Sequence, residues 1–300
     1  MTPWKNGSSS STNGNQHREL LYEADAVIVR LFQITDIDIK RATRLRIVAK
    51  HGVGTDNIDC LAATKRRIPV AFTPNAATDP VAEHAIALML ALARNICPAH
   101  AAVINGEFSA RKQLQGVELN GKVLSIIGLG RIGTRVGEIA VKGLRMTVRA
   151  YDPFRKEPLQ SDFPVTLDSF ESVLRSADFL SLHLPSASAT KHMINARTLA
   201  MMKPSSRIIN TSRGAVVDEL ALAEALVAGR IAGAALDVFE EEPISPNHPL
   251  CRTPNTVLTP HISSSTQESL DRMSLEAAQA VLDVLDGRAP MHLANPEVLE

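Results

Sequence analysis

Val123-Leu124-Ser125-Ile126-Ile127 runs directly into Gly128-Leu129-Gly130-Arg131-Ile132-Gly133, and a helical pattern continues through Val136 and Ala140. An apolar run, a glycine turn and a helix in that order make a dinucleotide-binding turn: the first glycine permits the tight bend. The second lets the backbone approach a pyrophosphate, and the third lets the helix pack close on the strand. The helix N-terminus then offers unpaired N–H groups and a positive dipole end to the phosphates. Asp152 ends the following strand, at 146–150, where a carboxylate can accept both hydroxyls of an adenosine ribose and would repel a 2′-phosphate. The cofactor read from these residues is NAD, a preference that Arg155 weakens slightly.

Around this turn, short β-branched runs alternate with helical patterns, which predicts parallel sheet covered by helices. One series of strands is expected at 26–30, 46–49 and 69–72. A stronger one follows at 123–127, 146–150, 179–183, 207–211, 234–238 and 256–258. Six strands suit a complete doubly wound domain. A length of 300 residues also favours two domains, and the division expected is 1–96 completed by 272–300, against 97–271. Residues 81–96 read as a helix that is apolar on nearly every face, capped by Asp79 with Pro80 at its first position. Such a helix should be buried, and a place between the domains is expected. Residues 105–120 break periodicity and read as a loop, whereas 264–285 reads as a helix returning to the first domain.

The 32 basic side chains balance 32 acidic ones, so charge gives no reason to expect nucleic acid or an anionic membrane as a partner. No apolar run approaches the roughly 20 residues of a membrane span. Cys60, Cys97 and Cys251 form neither a disulfide framework nor a metal-ligand spacing, and no metal site is expected. Residues 1–16 lack a signal core, which predicts a cytoplasmic protein.

Three residues after strand C-termini could carry chemistry: Arg213, Glu242 and His261. Ligands of open α/β sheets bind at such ends. Hydride transfer to a 2-keto acid needs a cation to hold the carboxylate and polarise the carbonyl, and an acid to protonate the alkoxide. Histidine backed by a carboxylate is suited to the second task. Singly, each has an ordinary structural explanation; their shared position is the stronger argument. His84, beside Glu83, is assigned to packing or capping, because neighbours on a helix point about 100° apart.

Together, residues 128–133 with Asp152, Asn210-Thr211-Ser212-Arg213-Gly214, Asp237-Val238-Phe239-Glu240-Glu241-Glu242-Pro243 and Thr259-Pro260-His261 resemble the D-isomer-specific 2-hydroxyacid dehydrogenase family, especially its phosphoglycerate dehydrogenase-like branch. The similarity spans about residues 19–290. It implies a Rossmann NAD-binding domain and a smaller flavodoxin-like substrate domain, with substrate bound between them, and a homodimer. It implies that Arg213 binds and polarises a small 2-hydroxy or 2-keto acid, that His261 is the general acid/base and that Glu242 orients it. By the same resemblance Gly128, Gly130, Arg131, Ile132 and Gly133 lie on the pyrophosphate, and Thr211, Ser212 and Arg213 line the cofactor site. Asp237 is expected on the nicotinamide carboxamide, Ser263 near the same end with His261, and Leu184 by the adenine next to a structural His183. Lys50, His51, Gly52, Val53 and Gly54 match the substrate loop whose backbone amides face the carboxylate, and Asn75 with residues 81–83 its partner.

The family places a strand, a helix and a second strand before the element matching residues 19–30, whereas residues 1–17 are too polar and serine-rich to supply them. The expectation is an N-terminally truncated substrate domain, with 1–18 disordered and a usually central strand left as an edge. Lys50 stands where phosphoglycerate-using relatives have arginine; lysine can pair with a phosphate but lacks the bidentate fork, so phosphoglycerate, glyoxylate, hydroxypyruvate and bulkier keto acids all stay open. Two rivals remain: a non-catalytic NAD-sensing interaction protein, and an inactive truncated homologue.

Overall fold

The computed structural model describes residues 11–155 and 162–300. In chain order its elements are α1 Ser11–Glu23, β1 Ala26–Val29, α2 Asp36–Arg41, β2 Ile47–Lys50, α3 Cys60–Lys65, β3 Val70–Ala71, α4 Thr78–Ala93, α5 Ile96–Ile104, β4 Val123–Ile127, α6 Arg131–Leu144 and β5 Thr147–Tyr151. They continue with β6 Val165–Leu167, α7 Phe170–Ser176, β7 Phe179–Leu182, α8 Ala196–Leu199, β8 Arg207–Asn210, α9 Glu219–Val227, β9 Gly233–Leu236, β10 Thr256–Leu258 and α10 Gln267–Leu285. The chain forms two compact units, Met1–Ala77 with Gln267–Glu300, and Thr78–Thr266.

The first unit holds the parallel sheet β1-β2-β3. Val29, Ile34, Ile39, Val48 and Val70 make its core. β1 stands at the end of the described sheet with Ile28 40% exposed, as the sequence leads one to expect. The other edge is covered by the tail: Ala294 donates its N–H to Val70 O at 2.8 Å, and Asn295 Oδ1 accepts from Val70 N at 2.7 Å. α10 packs on β1 and β2, and Arg46 donates to the Val284 and Leu285 carbonyls in its last turn.

Residues 11–17, expected to be without structure, lie in helix α1; residues 1–10 fall outside the described residues. Polarity argued against a helix here, but docking of its far end decides. Leu21 is buried, and Arg18 and Tyr22 both donate to Asp38 Oδ1, at 2.9 and 3.0 Å. Once that turn is anchored, helix propagates outward at little cost. Asp38 also accepts from the backbone and hydroxyl of Thr35, closing the capping box of α2. Burial pushes its carboxyl up, but these donors outweigh that and hold it below the usual range.

The second unit is a seven-stranded parallel sheet of order β10-β9-β8-β7-β4-β5-β6. The chain leaves β4 toward β5 and β6 on one side and returns to β7 on the other, so β4/β7 is the topological switch point. β6 escaped the sequence reading because it has three residues, none fully buried, so its pattern is too short to register. Strand alternation sorts the interior into two layers. Leu124, Ile126, Phe179 and Ile209 face α4 and α6; Ile127, Leu180, Leu182 and Leu236 face α7 and α9.

α4 starts at Thr78, so Asp79 and Pro80 sit within the first turn instead of preceding it. It ends at Ala93, before Asn95 in the left-handed region, and α5 leaves at a bend of 62°. Ala82, Ala85, Ile86, Met89 and Leu92 are buried against the large sheet. Its all-round apolarity is answered by that core, which moves the unit boundary from the expected residue 96 back to Thr78. The other boundary lies at Gln267 instead of 272, because α10 belongs whole to the first unit. Residues 105–120 include a short 3-10 turn at Phe108–Lys112.

Candidate active site

The glycine turn ends β4 at the switch point. Gly128 has φ +91°, and a Cβ there would lie 2.3 Å from His183 O; one at Gly133 would lie 2.1 Å from Gly128 O. Both positions are closed to any side chain by backbone. Gly130 differs: a Cβ on it would meet no protein atom within 4 Å. Packing therefore gives no reason for a glycine at this N-cap of α6, whereas close approach of a phosphate does. Arg131 and Ile132 open the helix, one exposed and the other partly so. Asp152 is held ready, with Oδ2 accepting from Leu129 N and Oδ1 from Phe154 N, each at 2.9 Å. An ionised carboxylate has about four acceptor sites, so two remain for ribose hydroxyls. Leu184 packs beside Gly128, and His183 bonds Ser181 Oγ at 2.8 Å; burial pushes that imidazole down to about 4, so it is neutral near pH 7. The residues present fit NAD.

β8, β9 and β10 are adjacent and in register, so the segments leaving them are neighbours. Asn210 shapes the first: its Oδ1 accepts from Ser212 N and Oγ, and its Nδ2 donates to Arg213 O at 2.9 Å. Thr211 and Ser212 are buried there, and Thr211 Oγ1 finds no partner among the described residues. Gly214 follows in direct backbone contact with the second segment, since a Cβ on it would lie 1.8 Å from the Phe239 carbonyl carbon and 2.2 Å from Glu240 N. That contact sets the Arg213 turn against the acidic loop. Glu242 turns back from the loop, Oε1 accepting from Phe239 N at 3.1 Å and Oε2 meeting His261 Nδ1 at 2.7 Å. The imidazole thereby keeps its Nδ1 proton on glutamate and presents Nε2 outward; its side chain is 47% exposed.

His261 has φ +53°, an uncommon backbone for a residue with a side chain. Asp237 underpins it. This carboxylate is fully buried and accepts from Thr259 Oγ1 at 2.6 Å, Ile262 N at 3.0 Å and Ser263 N at 2.8 Å. Asp237, expected on the nicotinamide carboxamide, therefore lies beneath the 259–263 turn with its oxygens engaged by protein. A charge without solvent has to be satisfied internally. Burial raises its carboxyl, and the bonds from His84, Thr259, Ile262 and Ser263 overcome this and bring it down to about 2.

Against 3.8 for the unperturbed group, the ionised form stabilises the fold by about 2 kcal/mol, complete above roughly pH 4 and lost as pH falls through 2. Asp237→Asn is expected to flatten the decline of unfolding free energy between those pH values, measured by urea titration. An unchanged slope would assign the acid sensitivity elsewhere.

The expected substrate loop belongs to the first unit. Lys50 is only 8% exposed and donates to Arg30 O and Asn57 Oδ1, both at 2.5 Å, so its ammonium braces the strand end. These two bonds use two of the three ammonium hydrogens and fix the side chain at the strand end. The Gly52 amide is likewise taken by Thr73 Oγ1 at 3.0 Å, which leaves Val53 and Gly54 to present the turn. His51 Nε2 bonds Ser274 Oγ at 3.1 Å. Asn75 is exposed, at 3.0 Å from His292 Nε2. In the second unit, Val81 and Ala82 are buried and Glu83 is exposed.

Sequence reasoning missed Asn210, Gly214 and His84 as functional supports. A glycine directly after Arg213 was the available signal for close backbone approach. Nothing in the order of residues could pair His84 with a strand end 175 positions away.

The profile described as "D-isomer specific 2-hydroxyacid dehydrogenase, NAD binding domain" matches residues 86–263. A glyoxylate reductase of Aeropyrum pernix is 43% identical over 285 residues, 93% of this chain and 85% of the relative. A D-3-phosphoglycerate dehydrogenase of Synechocystis is 40% identical over 94% of this chain, which spans only 51% of that protein. Among solved structures, a glyoxylate reductase of Paecilomyes thermophila superposes with a TM-score of 0.85 at 30% identity, covering 95% of this chain and 87% of the other. With its glycine turn, ribose carboxylate and Glu242–His261 pair in the order the sequence announced, the chain belongs to the D-isomer-specific 2-hydroxyacid dehydrogenase family.

Proposed function

We propose that this NAD-dependent dehydrogenase acts on a small 2-keto acid without phosphate, glyoxylate or hydroxypyruvate, in the direction of reduction. The observation that carries the chemistry is the 2.7 Å bond between Glu242 and His261. Bound NADH supplies the hydride. His261 Nε2 holds the proton that the developing alkoxide at C2 requires, and Glu242 fixes the ring and stabilises the imidazolium. Arg213 binds the substrate carboxylate and polarises the keto oxygen, a task that suits a planar, permanently charged group. In oxidation of the hydroxy acid the same imidazole takes the proton back. A non-catalytic sensor would need no such pair.

The substrate choice draws on Lys50, held to Arg30 O and Asn57 Oδ1, which lacks the bidentate fork an arginine would offer a phosphate. It draws also on the 85% coverage of a glyoxylate reductase. The test is a panel of glyoxylate, hydroxypyruvate, 3-phosphohydroxypyruvate and pyruvate with NADH at several pH values. Preference for the phosphorylated acid would overturn the substrate assignment, and NADH binding with no turnover on any acid would overturn the catalytic one. Asp152→Ala is expected to reduce discrimination between NADH and NADPH by roughly tenfold or more, read as the ratio of kcat/KM values. An unchanged ratio would remove Asp152 from the ribose.

We also propose a homodimer. Ile96, Val103, Ile104 and Phe108 are 55%, 62%, 70% and 68% exposed along one short stretch of the second unit, an apolar surface of the kind a second copy covers. A monomer in sedimentation equilibrium at micromolar concentration would refute this.

A further inference from the structure

We propose that His84 is a positioning residue for proton transfer, holding through Thr259 and Asp237 the turn from which His261 acts. Its imidazole stands on helix α4 directly after exposed Glu83, with Ala82, Ala85 and Ile86 buried around it. Nε2 lies 3.1 Å from Thr259 Oγ1 and 3.5 Å from Asp237 Oδ1. The direction of these bonds follows from proton counting. Thr259 has one hydroxyl hydrogen, and the 2.6 Å approach of its oxygen to a carboxylate places that hydrogen toward Asp237. The Thr259 oxygen can then only accept, so His84 Nε2 carries the hydrogen and donates.

A relay results, from the helix through one hydroxyl to the carboxylate that also takes the amides of Ile262 and Ser263. These are the two residues immediately after His261, whose left-handed φ has to be held by its surroundings. Thr259 guards the other side, its N–H on Leu236 O at 2.9 Å and its carbonyl accepting from His261 N at 3.1 Å. Without His84, the Thr259 oxygen loses its donor and Asp237 Oδ1 keeps only two. The turn then loses one of the contacts that hold it and can relax toward an ordinary φ, and His261 moves off Glu242. His84 touches neither substrate nor cofactor in this account; it acts through Thr259.

The inference rests on His261 being the proton donor, and its test separates the two. In the full chain, His84→Ala and Thr259→Val are each expected to lower kcat for keto-acid reduction by about tenfold, leaving the KM for NADH within roughly twofold. His84→Gln, which keeps an N–H at similar reach, should restore most of the rate. The double variant should be no slower than the slower single one. Amide hydrogen exchange at Ile262 and Ser263, which needs no turnover, should quicken in His84→Ala and recover in His84→Gln.

A wild-type rate in His84→Ala would overturn the proposal. So would a His84→Gln as impaired as the alanine variant, or losses that multiply in the double variant. If His84→Ala does not fold, the remaining pair decides: a slowed Thr259→Val beside a near-normal His84→Gln supports the relay, and two normal variants refute it. Failure of the catalytic reading would show separately, as a wild-type protein without turnover or a His261→Ala that retains it.

Discussion

Replacement of His261 by alanine is expected to lower the turnover of keto acid by about a thousandfold while NADH binds within roughly twofold of the wild-type affinity. The two numbers divide because the imidazole stands apart from the elements that would hold the phosphates and the adenosine ribose. Gly130, the α6 N-terminus and Asp152 lie at the ends of β4 and β5, while His261 follows β10 at the far edge of the sheet order. Its Nδ1 is committed to Glu242 at 2.7 Å, so only Nε2 is available, and it serves proton transfer. Steady-state rates with a fluorescence titration of NADH check both halves. Equal losses of rate and binding would mean that the residue supports the cofactor site instead of the chemistry. Loss of the donor leaves hydride transfer to produce an alkoxide that only water can protonate, which is why the effect is large.

Gly214→Ala is expected to be nearly as damaging by another route. Its Cβ would be set 1.8 Å from the Phe239 carbonyl carbon and 2.1 Å from its oxygen. Backbone cannot yield as a side-chain tip does, so the two segments must separate by more than 1 Å. Overpacking of this kind costs roughly 3 kcal/mol of stability, and a displacement of that size at Glu242 costs about a hundredfold in kcat. Thermal melts and keto-acid assays measure the two together. An alanine variant with wild-type melting and rate would show that the Arg213 turn and the acidic loop need not touch.

Much of this site was legible before folding. The strand, the glycine spacing and Asp152 are local along the chain, and their chemistry follows from backbone freedom and charge at known offsets. The strand ends preceding Arg213, Glu242 and His261 were visible in the same way, because apolar β-branched runs mark buried parallel strands. What was misplaced depended on contacts between distant residues. α1 forms through Asp38, a partner twenty positions from Arg18. The fold also adds what a motif cannot carry, Asp237 buried under the 259–263 turn and Lys50 bonded to Arg30 and Asn57.

By itself the amino-acid sequence determined the parallel α/β class, the dinucleotide turn, the preferred cofactor and the residue types able to move a proton and hold an acid. Each of these depends on periodicity or on chemistry within a few residues. Tertiary structure alone decided where α4 is buried, which carboxylate faces inward, and which glycines are hemmed in by backbone. Those outcomes turn on which atoms fill the space beside a side chain, and that space is made by residues far away along the chain.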